Sequence, residues 1–301
     1  MQDVSIKEAI GYEAIMGMID RYIERQITWD DFTRVDVLGL DEITLKKGHR
    51  DFVTIVTGYI ETQMVILGVL PDRQKATVKA FLGGIPQRLR QTIHTVCSDM
   101  YEGFVNAAKE VFGKRVKIVI DRFHVAKLYR SGLDSLRKQE LKRLKQTLLE
   151  EDYGQLKGAM WALRKTDEKL TDEDRDVLVR LFAFSPCLKT AYELCGELTS
   201  IFDTQMSKRE GKRKLQTWIK KVRASKLRCF DSFLTTLENR LDDIANYFMD
   251  RHTSGFVEGF NNKLKVIKRR CYGILNVTHL FQRIQLDLYG YSLFAQKIIA
   301  L

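Results

Sequence analysis

The strongest constraint on the fold is a series of short β-branched segments in the first half of the chain. Three of them, 35–41, 51–60 and 63–70, follow one another with only brief turns between them, which is typical of consecutive antiparallel strands. Two more segments, 93–99 and 116–121, alternate with stretches of helical periodicity. The predicted order is three strands, then a helix, a strand, a helix, a strand and a final helix.

That order is the order of the ribonuclease H-like fold, so we predict an α/β domain with a five-stranded mixed sheet flanked by helices. From about residue 124 to 250 the pattern is almost wholly helical, which indicates a large all-helical insertion. Such a fold hosts many activities, so function has to be argued from individual residues. The predicted organisation is a residual helical N-terminal segment (1–33), the first part of the core (34–130), the helical insertion (131–250) and the C-terminal core helices (251–301).

The charge balance suggests a polyanionic partner. The 50 Lys and Arg residues outnumber the 39 Asp and Glu residues and give a formal net charge of +11. Clustered Lys and Arg side chains release condensed counterions from phosphates, which makes nucleic acid the first candidate, although many basic proteins bind no specific polyanion.

The cysteine and hydropathy patterns indicate the cellular compartment in which the protein works. The 5 cysteines include no CxxC pair, which argues against a zinc ribbon or a disulfide framework and favours a reducing cytosol. No signal peptide opens the chain, and no run of about 18 apolar residues could span a bilayer. We therefore expect a cytoplasmic protein that does not enter a membrane.

Two acidic residues stand at the ends of predicted strands. Asp41 closes the segment VLGLD, and Asp99 closes the segment HTVCSD. Carboxylates at strand ends lie where clefts form in α/β sheets, and the two strands would be neighbours. Two carboxylates that lie so near to each other repel unless a cation such as Mg²⁺ binds both. Taken singly, each residue is better explained as a turn former or a helix cap.

A third acidic residue, Glu258, stands at the start of a basic segment with helical periodicity. The apolar seam of this helix is formed by Val257, Phe260, Leu264 and Ile267. At the edge of the seam or beyond it lie the amides and cations Asn261, Asn262, Lys265, Lys268, Arg269 and Arg270. Such a helix could add a carboxylate to a metal site while its cations neutralise phosphates. The alternative is a solvated amphipathic helix with a favourable acid in its first turn.

Five stretches of the chain resemble bacterial insertion-sequence transposases of the ISL3 family, which are DDE-type enzymes. The stretches are LGLDEITLKKGH, VLPDRQKATVKAFL, VCSDMYEGFVNAA, VIDRFHVAKLYR and SGFVEGFNNKLKVIKRRCYG. They occur in the family's order and span most of residues 35–291. The resemblance implies metal-dependent cleavage and strand transfer of DNA at insertion-sequence ends.

The resemblance also implies a site and partners. The DDE acids would be Asp41, Asp99 and Glu258, acting as catalytic residues and as ligands of two Mg²⁺ (or Mn²⁺) ions. The partner would be double-stranded DNA, as transposon ends and as target, bound by a dimer that is nucleoid-associated when on DNA. Neither a small-molecule cofactor nor a membrane is expected.

Asp121, in the stretch DRFH, competes with Glu258 for the third acidic position because it ends the fifth predicted strand. We favour Glu258, since its basic and amide neighbours suit a phosphodiester site. Asp121, Arg122 and His124 are then expected to support the site or to contact DNA. The alternative is that His124 has only a structural place at a helix N-terminus.

A second basic segment, 207–228, lies within the helical insertion and contains ten basic residues and one acidic residue. Its predicted role is contact with phosphates, without readout of bases, and the alternative is a solvated helix surface. A further basic stretch, 137–145, could extend this surface. The candidate contact residues are Lys212, Arg213, Lys214, Lys220 and Lys221.

The N-terminal region departs from the pattern that the resemblance implies. Residues 7–26 show helical periodicity and could be the last helix of a helix-turn-helix that reads inverted repeats, but no zinc-ligand spacing precedes them. An alternative function is therefore a truncated or inactive DNA-binding remnant that regulates the element. A general nuclease for RNA–DNA hybrids is a third possibility, against which the large helical insertion argues.

Overall fold

The computed structural model describes residues 2–44, 52–60, 63–249, 251, 259–260, 262–267, 269 and 276–298. The chain forms two compact units, one made of Met1–Asp121 with Arg251–Leu301 and the other of Arg122–Asp250. We call them the sheet unit and the helical unit, and each is described by itself.

The sheet unit combines five strands with helices that precede, connect and follow them. Its strands are β1 (Val37–Thr44), β2 (Phe52–Ile60), β3 (Gln63–Leu70), β4 (Thr95–Ser98) and β5 (Lys117–Ile120). Its α-helices are α1 (Gln2–Lys7), α2 (Tyr12–Tyr22), α3 (Lys75–Gly84), α4 (Gln87–Arg90), α5 (Glu102–Phe112) and, after the helical unit, α14 (Val277–Ile298). Single 3₁₀ turns occur at Trp29–Asp31 and Gly113–Arg115.

The strands form one mixed sheet in the order β3-β2-β1-β4-β5. β1 pairs antiparallel with β2 and β2 antiparallel with β3, whereas β1 pairs parallel with β4 and β4 parallel with β5. The two parallel pairings follow from the helical crossovers, because parallel strands need a long connection and antiparallel neighbours need only a turn. The predicted α/β fold with a five-stranded mixed sheet, of the ribonuclease H-like kind, is confirmed.

Strand β1 runs further than the sequence indicated. Asp41 does not end it, because β1 continues to Thr44 through antiparallel pairing with β2, where Thr44 faces Phe52. On its other side β1 pairs with β4 only as far as Leu40, which faces Ser98. Asp41 therefore lies inside one strand but one position beyond the last pair with β4.

One face of the sheet is covered by the C-terminal part of the sheet unit. Ile43, Ile55 and Ile66 from the first three strands lie in one buried cluster with residues of two helical segments. The helical partners in this cluster are Leu264, Ile267, Leu280, Phe281 and Ile284. Alternate residues of a strand share a face, so Asp41 points to the same side of β1 as Ile43. The helix at 262–267 thus packs on the face that carries Asp41.

The single helix predicted for residues 7–26 is wrong. The helix breaks after Lys7, where Ala9 has a φ of 52°, and α2 ends at Tyr22 because Ile23 is extended with a φ of −116°. Ile23 is buried, and its carbonyl accepts a hydrogen bond from the Gln282 side chain of α14 at 3.0 Å. Tertiary contact with α14 therefore decides the end of α2.

The helical unit contains eight α-helices among its described residues. They are α6 (Arg122–Thr147), α7 (Glu150–Gly154), α8 (Ala159–Ala162), α9 (Asp172–Phe184), α10 (Pro186–Asp203), α11 (Lys208–Ser225), α12 (Asp231–Asn239) and α13 (Leu241–Ala245). Single 3₁₀ turns lie at Asp167–Lys169, Arg228–Phe230 and Asn246–Phe248. Helix α6 runs unbroken through residue 130, the predicted end of the first core segment.

Aromatic packing around α11 forms the core of the helical unit. Trp218 is fully buried, contacts the rings of Phe230 and Phe233, and donates a hydrogen bond from Nε1 to the Leu194 carbonyl at 2.8 Å.

Among the helices that the structure describes, none is long and apolar enough to cross a bilayer.

Candidate active site

Asp41 is a buried carboxylate on a central strand. The residue is 7% exposed, and Oδ1 accepts a hydrogen bond from the backbone N–H of Glu42 at 2.8 Å. The pairing of Asp41 with Ile55 of β2 fixes the position of this group more firmly than a loop would.

Asp99 lies in the turn between β4 and α5. Its Oδ1 accepts a hydrogen bond from the backbone N–H of Tyr101 at 2.8 Å, the residue just before the first turn of α5. This side-chain bond to a backbone group two residues ahead is the usual way in which Asp shapes a turn. The turn function and the strand-end position that the sequence indicated are therefore both present.

The structure brings the two carboxylates together. An oxygen of Asp41 and an oxygen of Asp99 lie within 4.8 Å of each other. The register explains this, because Leu40 faces Ser98 in the parallel pair and each acid is the next residue. Two carboxylates at this separation repel each other unless a cation lies between them. Hard oxygen donors suit Mg²⁺ or Mn²⁺, so this part of the predicted donor set fits the predicted metal.

Arg73 is a further charged residue of the site, to which the sequence analysis assigned no role. Its Nη1 forms an ion pair with Glu42, the residue after Asp41, at 2.7 Å, and its guanidinium lies 4.1 Å and 4.7 Å from the ring centres of Phe52 and Tyr101. The hydrogen bond to Glu42 raises the pKa of Arg73, with smaller contributions that include Asp99. A fixed positive charge thus stands near Asp99. Its only sequence signal was its place in the family-like stretch VLPDRQKATVKAFL.

Asp121 occupies the position after β5 that Asp99 occupies after β4. Ser98 faces Ile120 in the parallel pair, and the backbone N–H of Asp121 donates to the Ser98 carbonyl at 2.9 Å. The residue is 4% exposed. Asp121 is therefore a second strand-end acid of the sheet unit, as the sequence predicted.

Arg122 and His124 belong to the first turn of α6 in the helical unit. Arg122 forms an ion pair with Asp203. Burial would lower its pKa, but hydrogen bonds to Tyr247 and Asp203 outweigh burial and raise it. His124 is half-buried, and its ring lies 5.9 Å from the ring of Phe123. Arg122 thus joins the start of α6 to the end of α10 and to the last turn of the unit.

The helix that the sequence predicts to carry the third acid is described only in part. Leu264 and Ile267 are buried and Phe260 packs against their cluster, which confirms the predicted seam for these residues. The predicted DNA-contacting residues that the structure describes there, Asn262, Lys265 and Arg269, are exposed. Outside the described residues lie Glu258, Asn261, Lys268, Arg270 and the seam residue Val257.

The predicted phosphate-contacting residues of α11 fall into two groups. Three of them are already paired with carboxylates in the helical unit: Lys212 with Asp242, Lys214 with Glu210 and Lys221 with Glu197. Arg213 and Lys220 are exposed and form no ion pair among the residues that the structure describes. The sequence alone could not separate the two groups, because two of the three carboxylate partners, Asp242 and Glu197, lie on other helices.

Comparison with known proteins agrees with this geometry. The family model for ISL3-type DDE transposases, described as a transposase, matches residues 38–284. The chain is 26% identical over 277 residues to the transposase of insertion sequence element IS1001 from Bordetella parapertussis, a match that covers 92% of this chain and 66% of the relative. It is 24% identical over 299 residues to the transposase of IS1557 from Mycobacterium tuberculosis, covering 92% and 65% respectively.

The family match covers most of the chain, including Asp41, Asp99 and Glu258, although the chain spans slightly less than two thirds of the length of these curated relatives. DDE transposases generally use divalent metals, and a candidate acidic site is present at Asp41 and Asp99. The chain belongs to the ISL3 family of insertion-sequence transposases.

Proposed function

We propose that this chain catalyses metal-dependent cleavage and strand transfer of double-stranded DNA at insertion-sequence ends. The observation that carries the proposal is the approach of the Asp41 and Asp99 oxygens to within 4.8 Å at the edge of the β1–β4 pair. In open α/β sheets, ligands bind outside the carboxyl ends of the strands. The family match supports a transposase, and the residues supply the metal ligands that its chemistry requires.

Asp41, Asp99 and Glu258 would hold two Mg²⁺ or Mn²⁺ ions, with Asp41 shared between them. When bound, the ions would activate water or a 3′-hydroxyl and stabilise the departing 3′ oxygen. Asp41 provides a carboxylate fixed by its strand, and the Tyr101 N–H holds Asp99 in a defined orientation. These fixed positions reduce the reorganisation that the reaction requires.

Glu258 remains our proposed third acid on the ground of helix packing. Leu264 and Ile267 are buried against Ile43 and Ile55, on the sheet face that carries Asp41. Glu258 precedes Leu264 by six residues in the sequence, and the packing of Leu264 supports our proposal that Glu258 belongs to the site. Asp121 is proposed to support the site rather than to replace Glu258.

Arg73 is proposed to bind the DNA backbone next to the acids. Its guanidinium is held by Glu42 and by two aromatic rings, yet 36% of the side chain is exposed. Arginine in a fixed position suits phosphate oxygens because its planar donors bind in pairs. The partner would be duplex DNA, and a dimer would handle two element ends together.

The test is a cleavage and joining assay on duplex DNA that carries the terminal inverted repeats flanking the reading frame. With Mg²⁺ or Mn²⁺, the wild-type chain should yield cut and joined products. Asp41→Asn and Asp99→Asn should each lower the rate by at least about 100-fold, since such electrostatic groups are worth that much. Asp36→Asn is the control, because Asp36 precedes the opposite end of β1 and pairs with Arg34.

The same assay decides the third acid. Glu258→Gln should abolish product formation, and Asp121→Asn should retain it at a reduced rate. An active Glu258→Gln protein with an inactive Asp121→Asn protein would transfer the role to Asp121. Binding of the DNA without any product, across both metals, would favour the DNA-binding remnant over the enzyme.

A further inference from the structure

Most of the positive charge on helix α11 is used inside the helical unit. The helix carries eight cations in the sequence KREGKRKLQTWIKKVRAS. Five of them hold carboxylates: Lys208 and Lys212 share Asp242, Lys214 pairs with Glu210, Lys221 with Glu197 and Arg223 with Glu238. Four of these five tie α11 to other helices of the unit, and the pair Lys214–Glu210 lies within α11 itself.

The other three cations of α11 form one line on its outer face. Arg209, Arg213 and Lys220 are all exposed, and Gln216, also exposed, lies between the last two. Their spacing of four, three and four residues places them on one stripe of the helix. None of the three cations forms an ion pair among the described parts of the chain. We call Arg209, Arg213, Gln216 and Lys220 the exposed stripe.

The exposed stripe lies opposite the packed face of the helix. The buried residues of α11 are Gly211, Leu215, Trp218, Ile219 and Val222. At about 100° per residue these lie on the far side of the helix axis from the stripe. The packing of α11 therefore leaves the stripe open to a partner over about 16 Å, the rise of eleven residues.

The stripe is electrostatically unfavourable in the isolated helix. Arg209 and Arg213 are like charges one turn apart, and such pairs destabilise a helix. Arg209 also lies in the first turn, where the positive end of the helix dipole disfavours a cation. The acid nearest to it on the helix, Glu210, is engaged by Lys214. A polyanion lying along the stripe would turn this repulsion into attraction.

We propose that the exposed stripe binds the phosphate backbone of duplex DNA, and that the ion-paired lysines next to it do not. This inference rests on the proposed function for the presence of DNA, but it concerns a surface distant in sequence from the acids. One DNA strand offers a phosphate about every 3.4 Å along the axis, so a 16 Å stripe spans several phosphates. Contacts of this kind give affinity and position without reading the base sequence.

The test compares two triple variants that remove the same charge from the same helix. The first removes the stripe cations, Arg209→Gln, Arg213→Gln and Lys220→Gln. The second removes ion-paired cations, Lys212→Gln, Lys214→Gln and Lys221→Gln. Both are made in the full chain with Asp41→Asn, and binding to duplex DNA is measured in EDTA as a function of salt, so that cleavage plays no part.

The stripe variant should lower the steepness of the plot of log affinity against log salt by about 0.9 for each lost contact, roughly 2.7 in all. The ion-paired variant should change it by less than one contact. Random duplex and element-end duplex should lose affinity equally in the stripe variant, because phosphates carry no sequence. The proposal would be overturned by equal losses of steepness in the two variants or by no change in the stripe variant. It would also be overturned if the parent chain, which carries Asp41→Asn alone, did not bind DNA.

Thermal melting without DNA provides an independent readout. The stripe variant should melt at or above the temperature of the unchanged chain, since repulsion has been removed. The ion-paired variant should melt lower, because Asp242 and Glu197 lose partners. A stripe variant that melts lower would contradict the description of its charge as uncompensated. If the stripe passes both tests but the wild-type chain never cuts DNA, the proposed catalysis fails and the stripe stands.

Discussion

Asp41 lies on β1 and Asp99 directly follows β4, and the parallel pairing of these strands ends one residue before each acid, which brings their carboxylate oxygens within 4.8 Å. The relationship depends on backbone pairing, not on flexible side chains. The acid positions should therefore survive changes in the helical unit, whereas several features of that unit can be tested by themselves.

Low pH should reduce the stability of the helical unit, because Asp134 becomes protonated. Hydrogen bonds from Lys138 and Arg137 lower the pKa of Asp134 from 3.8 to about 2. The stabilisation is complete above the unfolded pKa and is lost as the pH falls from about 4 through about 2. Asp134→Asn should lower the free energy of unfolding at pH 7 by about 1–2 kcal/mol, allowing for partial exposure.

The measurement is chemical denaturation of wild type and variant from pH 7 down to the lowest pH at which the chain still folds. The gap between them should narrow as the pH falls below 4. Asp176→Asn is the charge-matched control, because Asp176 is exposed and forms no ion pair among the described residues. A gap that stays constant down to pH 2 would contradict the role given to Asp134.

Gly211 is required by the packing of α11 on the 3₁₀ turn Asn246–Phe248. A Cβ at Gly211 would overlap the ring of Phe248. Gly211→Ala should therefore destabilise the unit by about 1–3 kcal/mol, the usual cost of overpacking. Gly196→Ala on α10 is the matched control. Nothing lies within 4 Å of its Cβ position, so it should stabilise by about 0.5–1 kcal/mol. Equal melting shifts in the two variants would disprove the close contact.

Trp218 belongs to the core and not to the DNA surface, although it lies in the most basic segment of the chain. It is fully buried and its Nε1 donates to Leu194. Trp218→Ala should lower the free energy of unfolding by about 3–5 kcal/mol. Trp218→Phe should keep the fold and, per folded molecule, the full affinity for DNA. A large loss of affinity in folded Trp218→Phe would show that the indole contacts DNA.

More of the fold than of the site could be predicted from the sequence. Periodicity and turn spacing are local signals, so the strands and the apolar seam at Leu264 and Ile267 were visible in the sequence. The length of β1 was not, because pairing with β2 carries it past Asp41. The break at Ala9 and the end of α2 were also missed, since contact with Gln282, far along the chain, decides where α2 stops.

The charged residues illustrate the same limit. Asp41 and Asp99 could be found because strand ends and acids are both visible in sequence. Arg73 could not be assigned, because its partner Glu42 lies on β1, far from it in the sequence. The division of the α11 cations into paired and exposed groups depends on acids such as Glu197 and Asp242, which only the packed unit brings near.

Arg73 should affect metal binding and catalysis in opposite directions. Arg73→Gln removes a positive charge near Asp99 and frees Glu42, so Mn²⁺ should bind several-fold more tightly without DNA. Cleavage should nevertheless slow by about 10-fold or more, because a fixed phosphate contact is lost. Arg34→Gln, which removes an exposed arginine paired with Asp36, should change neither. Unchanged cleavage in Arg73→Gln would remove Arg73 from the site.

The most direct test of the metal site is a titration of the full chain with Mn²⁺, followed by electron paramagnetic resonance of the free ion. The wild-type chain should bind Mn²⁺ at a site that Mg²⁺ competes for. Asp41→Asn and Asp99→Asn should each weaken binding by at least about 10–100-fold, the loss seen even for groups one shell removed from a metal. Asp36→Asn should bind as the wild type does. Equal affinity in all four proteins would contradict a metal site at Asp41 and Asp99, and with it the proposed mechanism.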